Sequence, residues 1–554
     1  MRKHFILTLL LGLTLATQAR ERTLSQKERA AAAVLAAQTA VRPVSGQSGA
    51  VPLPQLMRST ATYSVMGYPT GGFALIANDD NVEAVLGYSA SAYDSTAVPA
   101  PVQWYLNSVE QALNSRPAYE RASSLHYNTT GVPQVQPMCS TQWGQDEPYN
   151  IKCPHRVSGS GYMVRGCIAT AMAQIMKHWN YPACGEGSLF DINYFLYANY
   201  GTTHCDWDSM LDTYTDGAYT DSQSQAVALL MMHCGMGVGM RYADHESGSQ
   251  AQYVPGALRS HFRYNTNVNY RNRANHTNAE WMGSIYSELA AGRPLLYTGQ
   301  DSKMSYGHAF VFDGYDTDGM VHVNWGWDGR FDGYFDINLL NSGYMGLSFT
   351  DLQSMVLGIG LPEHDISHSV ELAIRSDLSL YGSGNTYQLY DEDFTVYNLN
   401  DYDLKGTLAM VMPTVTNTRI MSVIETYPNT DADTGEEQEA FRSFTYINYP
   451  KTYDIKIPTT LRNGTYVMYL AFREEGRSEW QPVYTAEGVV GYFVVTKDGS
   501  KVDVVGVRGQ YTTPVETVPA AAPAGNDVYD LQGRRVSAGY RGLVISNGRK
   551  YIKH

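Results

Sequence analysis

No cysteine follows Cys234 in this 554-residue chain, and the six that exist, Cys139, Cys153, Cys167, Cys184, Cys205 and Cys234, sit in one stretch. That distribution excludes a disulfide framework spread over the whole chain, and the absence of a CxxC pair excludes a cysteine zinc site of the usual spacing. Charge is also sparse, at 17% of residues against 44% apolar, too little for a disordered chain. The 40 basic and 54 acidic side chains leave a net charge of -14 with no Lys/Arg run, which argues against a nucleic-acid partner. After the first twenty residues no apolar run approaches the length of about 20 needed to cross a bilayer, so no transmembrane segment is expected. There is no GxSxG elbow and no phosphate-binding glycine loop. The nearest approach to a metal motif, Glu363 with His364-Asp365-Ile366-Ser367-His368, lacks the intervening Glu of a zincin and a third ligand. The run Asp316 to Gly319 imitates a calcium loop, but Gly314 and Trp325 occupy ligand places. Neither a metal nor a cofactor is expected.

What is present divides the chain, which at 554 residues is too long for one core. Arg2, Lys3 and His4 precede an apolar run from Phe5 to Leu15, with small residues at Thr17 and Ala19, the pattern of a secretory signal over residues 1–19. The expected location is therefore secreted or cell-surface. Ser25 and Glu28 form a capping box before an Ala-rich helix, and short strand-like runs follow from Tyr63, including Phe73 to Ala77 and Val82 to Tyr88. The clearest helix is Cys167 to Trp179, where Ile168, Met172, Ile175, Met176 and Trp179 predict one apolar face. Further helices are expected over Ser222–Cys234 and Asn278–Ala291. Beyond Leu361, alternating runs between Gly, Pro, Asn and Asp clusters predict an antiparallel sandwich. A Pro/Ala linker separates it from a last segment with the hairpin signal Asn547-Gly548. The fold class is α+β.

The chemistry points to Gly166-Cys167, because unpaired N–H groups and the positive end of the dipole at a helix start favour a thiolate. A buried, inert cysteine is the plain alternative unless a base stands near. His178 lies eleven residues along the same helix, about 16 Å away at 1.5 Å per residue, and is too far. His308 opens the run His308 to Phe312, which turns at Asp316 to Gly319 and returns through His322 to Trp325. A hairpin centred on Asp316 would set Asn324 opposite His308, about 5 Å between Cβ atoms, where an amide could orient the imidazole. His322 is the second candidate base, with a packed histidine as its plainer reading.

Cys167 precedes His308 by 141 residues, the order and range of a papain-like cysteine peptidase. The blocks Trp143 to Asn150, Gly166 to Pro182, Gly307 to Gly314 and His322 to Trp327 resemble the streptopain family of secreted bacterial cysteine peptidases, closest in layout to the interpain-type enzymes of oral Bacteroidetes. The resemblance implies a papain-like domain over residues 133–361, behind a pro-domain over 20–132 that acts as an intramolecular inhibitor. The sandwich then spans 362–514, the linker 515–526, and a sorting-like tail 527–554 that would engage bacterial secretion machinery. It implies Cys167 as nucleophile, His308 as base and then acid, Gln145 in the oxyanion hole, and Asn324 with Trp325 positioning or covering the imidazole. The segment from Gly235 to Gln250 aligns with the family's substrate pocket, with Met240, Ser247 and Gly248 as contacts and an apolar residue expected two places before the scissile bond. Function is then endopeptidase cleavage of proteins or peptides by a zymogen. The competing reading is a catalytically silent surface adhesin that binds through the sandwich.

Overall fold

The computed structural model describes residues 20–38, 53–115 except 70, 134–300 with breaks at 215–216, 274–275 and 277, 307–341, 353–389 without 364–369, and 395–511 with short interruptions. It also describes three short strands near the C-terminus. The signal segment, the linker, the His364–His368 motif and the Asn547-Gly548 turn lie outside the described residues. Antiparallel strands Gly542–Ser546 and Arg549–Lys553 stand on either side of those two residues.

One antiparallel sheet of ten strands organises the chain as far as residue 357. The N-terminal unit supplies β1 (Gln55–Ser59), β2 (Tyr63–Gly67), β3 (Phe73–Ala77) and β4 (Val85–Ser89). A hairpin, β5 (Ser188–Asp191) and β6 (Leu196–Asn199), stands apart from it. The central unit adds β7 (Asn269–Asn272), β8 (Leu295–Gln300), β9 (Gly307–Tyr315), β10 (Val321–Asn324), β11 (Gly333–Phe335) and β12 (Gln353–Leu357), in the order β1-β2-β3-β4-β11-β10-β9-β8-β12-β7. The strand expected from Val82 starts instead at Val85, because Val82 donates to the Asp79 carbonyl in a turn.

The joint between the units is β4 against β11, with Tyr88 opposite Tyr334. Their rings stack at 5.3 Å, and the Tyr88 hydroxyl donates to the Asp316 carboxylate at 2.6 Å. Helix α1 (Leu24–Gln38) covers β3 and β4 with Ala31 and Leu35. Its cap is Thr23 paired with Gln26, not the expected Ser25 and Glu28, so the helix starts one residue before Ser25. Helix α2 (Ala100–Ser115) buries Trp104 and Tyr105 in a core shared with Phe310, Phe312, Trp325 and Phe335 of the central unit. The Tyr105 hydroxyl donates to the carbonyls of Leu86 and Asp336, one from each unit. The N-terminal unit is thus built into the sheet.

Helix α3 runs Cys167–Trp179, as the spacing predicts, but it is buried on all sides from Ile168 to Met176 and not on one face. It lies between the sheet and α4 (Asp221–Gly237), and Ala169, Ala171 and Ala173 let both neighbours approach. Asn180 ends it in the left-handed conformation, with Pro182 beyond. Thr220 and Gln223 form a capping box ahead of α4. Helices α5 (Val254–Phe262) and α6 (Asn278–Ala290) complete the central unit.

From Val370 the described residues form only strands and loops, the strands lying in sheets of four, three and six with a two-stranded pair, Asn429–Thr430 and Glu437–Gln438, beside them. Leu408, Met410, Met412, Met468, Leu470 and Phe472 point from the long strands of the largest sheet into a common core. This unit is tied to the central one by the buried Arg271–Glu371 ion pair and by the His276 ring 4.5 Å from Tyr484.

Candidate active site

Gly166 precedes α3 with φ 90° and ψ 135°, and a Cβ there would stand 2.7 Å from the Met240 sulfur and 2.9 Å from the Ser247 carbonyl. Only glycine fits, on both conformational and steric grounds. Cys167 therefore begins the helix with Met240 and the Ser247 carbonyl pressed against the residue before it. Burial raises its thiol, and hydrogen bonding to the backbone N–H groups of Ala309, Ile168 and Cys167 itself works in the opposite direction. The other cysteines are unpaired too, and burial lifts Cys153 to about 11 and Cys205 to about 12, thiols unsuited to attack.

Gln145 is brought alongside because its carbonyl accepts the Arg165 backbone N–H at 3.2 Å, two residues before the cysteine. Arg165, which sequence reasoning passed over, is fully buried and holds this corner together. Its guanidinium donates to the Tyr149 carbonyl at 3.2 Å and to the Tyr242 hydroxyl at 3.3 Å. Nothing in its spacing marks it out.

The hairpin register differs from the expected one. Val321 and His322 pair with Tyr315 and Gly314, a bulge follows, and Val323 and Asn324 pair with Phe312 and Val311. A turn centred further along, plus the bulge, moves Asn324 three residues away from the place opposite His308. The Asn324 amide instead accepts from Gln174 and from the Gly326 N–H, both at 3.0 Å, and donates to the Thr141 carbonyl at 2.7 Å. It braces β10 against α3 and the loop before Gln145. Gln174 was a second omission; a lone glutamine among apolar helical residues is its signal. His322 is a packed histidine, but it has an orienting carboxylate, Asp313 at 2.6 Å. His178 faces the Met138 carbonyl, as its place on the helix requires.

His308 pairs with Gly299 of β8, and a Cβ on Gly299 would meet the Trp104 indole at 2.2 Å. Cross-strand partners share a face, so the imidazole starts on the side that α2 covers. Alternation agrees: Ala309 and Val311 belong to the core with α3, Phe310 to the core with Trp104. Burial there lowers the imidazole to about 4, so it is neutral at neutral pH. Trp325 lies on the same side, its indole 4.8 Å from Phe310 and donating to the Phe331 carbonyl. On the α3 side, Met240 is buried, the Ser247 hydroxyl donates to the Val164 carbonyl at 2.6 Å, and Gly248 exchanges backbone bonds with Arg241. The structure thus gathers Cys167, Gln145, Met240 and Ser247, with the His308 backbone adjacent.

The Peptidase C10 family profile matches residues 143–335. Among curated proteins, streptopain of Streptococcus pyogenes is 30% identical over 324 residues, covering 53% of this chain and 80% of streptopain. The thiol protease/hemagglutinin PrtT of Porphyromonas gingivalis is 29% identical over 458 residues, 77% of this chain, which spans 50% of that protein. Among solved structures, a prointerpain A fragment of Prevotella intermedia superposes with a TM-score of 0.50 at 37% identity, covering 55% of this chain and 98% of the fragment. The fold is papain-like, and the chain belongs to the peptidase C10 family of cysteine peptidases.

Proposed function

We propose that this chain is an exported cysteine endopeptidase made in a latent form, with residues 20–132 as the pro-domain. In the active form the Cys167 thiolate attacks the carbonyl carbon of a peptide bond. The oxyanion is met by the Gln145 side-chain amide and the Cys167 N–H at the helix start. The His308 imidazolium protonates the departing amine, leaving a thioester on Cys167. His308 then takes a proton from water, whose oxygen attacks the thioester; the C–S bond breaks, the acid leaves, and the Cys167 thiolate with the His308 imidazolium is restored. The observation that carries the reading is the meeting of Gly166-Cys167, Gln145 and the Ala309 amide at the start of a buried helix. Asn324 and Trp325 would hold the frame on which the imidazole turns, and Met240, Ser247 and Gly248 would wall the pocket. Export rests on the segment 1–19, with no described helix long and apolar enough to cross a membrane. Engagement of secretion machinery by residues 527–554 is part of the same proposal.

The test is labelling of the self-processed chain by an epoxide inhibitor of thiol peptidases. One equivalent on Cys167 is expected; no labelling would favour a silent binding protein. Gln145→Ala should lower kcat by about 10²–10³-fold with little change in KM, the cost typical of one oxyanion donor. A purely structural glutamine would instead lower the melting temperature and leave kcat intact.

A further inference from the structure

Between Ile168 and Met176, helix α3 carries only two polar side chains, Thr170 and Gln174, and both are buried. They stand three and seven residues after Cys167, which puts hydroxyl, amide and sulfur on one face of the helix. A buried polar group costs stability unless it is bonded, so each must find partners. The Gln174 side-chain oxygen accepts the Trp143 N–H at 3.2 Å and the Thr141 hydroxyl at 3.1 Å. Its amide nitrogen donates to the Asn324 side-chain oxygen at 3.0 Å, and Asn324 closes the ring by donating to the Thr141 carbonyl at 2.7 Å. One turn earlier, the Thr170 hydroxyl reaches the Gly144 and Gly166 carbonyls at 3.4 and 3.3 Å.

These contacts follow an order. The segment 141–145 runs along that face against the direction of the helix: Thr141 and Trp143 meet Gln174, Gly144 meets Thr170, and the Gln145 carbonyl meets the Arg165 N–H. Gln145 is thus the last residue of a segment clamped to the nucleophile's own helix. The bond to Asn324 decides which end of the Gln174 amide faces Trp143, and Asn324 is itself held by Thr141 and by the Gly326 N–H at 3.0 Å. All of these partners lie within residues 141–326, so removal of the N-terminal unit takes none of them away. An oxyanion donor misplaced by about 1 Å can cost about 10²-fold in rate, which makes the clamp matter for chemistry as well as for folding.

We propose that Gln174 is a positioning residue for peptide hydrolysis: through Trp143 and Thr141 it holds the Gln145 side-chain amide where the oxyanion forms on attack by Cys167. The inference rests on the peptidase reading above and deepens it by a residue that touches no substrate. Gln174 is fully buried, so its loss leaves the walls of the cleft in place. The effect falls on kcat, because the oxyanion exists only after attack.

The experiment is a double-mutant cycle in the full-length chain, matured by a trace of tagged wild-type enzyme that is then removed, with active sites counted by epoxide labelling. Gln174→Met keeps the length and helix propensity of the side chain but removes every bond of the amide. It should lower kcat roughly tenfold or more with KM within about twofold, yet by less than about threefold once Gln145→Ala has already removed the donor. A peptide aldehyde, whose adduct with Cys167 carries the oxyanion, should lose affinity in step with kcat/KM. Alkylation of Cys167 by iodoacetamide forms no oxyanion and should keep its rate. Gln174→Glu retains the acceptor bonds, and its carboxyl, kept protonated by burial, can donate to Asn324, so it should recover most of the activity. Should Gln174→Met fail to fold by circular dichroism, Gln174→Asn, with the amide withdrawn by one methylene, takes its place in the cycle with the same expected split. Equal losses with and without Gln145, or an unchanged kcat, overturn the role of Gln174 while leaving the peptidase reading intact. Absence of both labelling and cleavage in the wild type overturns the peptidase reading and this inference with it.

Discussion

Cys167→Ala should abolish peptide hydrolysis, with a loss of several orders of magnitude in kcat, while the protein folds as before. The size follows from chemistry: a nucleophile that works as one unit with its base cannot be removed by halves, and such losses reach about 10⁶-fold. The fold should survive because the change deletes one sulfur at the first position of a helix, where alanine is the best helix former. Gly166, with its positive φ and its contacts with Met240 and Ser247, is untouched. Cys139, Cys153, Cys205 and Cys234 cannot substitute, since they are buried thiols held protonated by desolvation. The measurement is hydrolysis of casein by the wild-type and variant chains, with circular dichroism to verify the fold. Activity within tenfold of wild type would remove Cys167 from the mechanism.

The helix that presents Cys167 was legible because one local signal, apolar spacing after a glycine, fixes both its start and its period. The mainly antiparallel character of the C-terminal unit was legible from alternating runs between turn residues, but the parallel pairing of Leu372–Ile374 with Tyr484–Thr485 was not. The partner surfaces were not. Complete burial of Ile168–Met176 depends on a second helix and a sheet that local periodicity cannot announce. The position of Asn324 depended on a register, and a bulge between His322 and Val323 shifts a register without leaving a mark in composition. The strut Arg165 was invisible because its partners, Tyr149 and Tyr242, are remote in sequence or bond through backbone atoms. Pairing of β4 with β11 is a contact across 240 residues or more, and it decides how the N-terminal unit engages the site.

That engagement sets the second large expectation: Trp104→Ala should release the latent state and speed self-processing by tenfold or more. Trp104 covers Gly299, the cross-strand partner of His308, and its ring lies 6.0 Å from Phe310 on the same face. In this arrangement the imidazole is neutral and starts on the α2 side of the sheet, while burial keeps the Cys167 thiol protonated. A thiolate–imidazolium pair requires both groups to leave these surroundings. Truncating a buried tryptophan costs about 3–5 kcal/mol, and here the loss falls on the contact between α2 and the central unit. Because β4 remains paired with β11 and Tyr88 remains bonded to Asp316, the segment should loosen locally without detaching. Two readouts separate release from misfolding: the rate of self-cleavage of the full-length variant, and alkylation of Cys167 by iodoacetamide at neutral pH in a Gln145→Ala background that slows processing. Faster alkylation than in the Trp104 parent, with an unchanged circular dichroism spectrum, supports α2 as the latch. Equal alkylation rates in the two chains would mean that α2 serves only the core, and that latency resides elsewhere in residues 20–132.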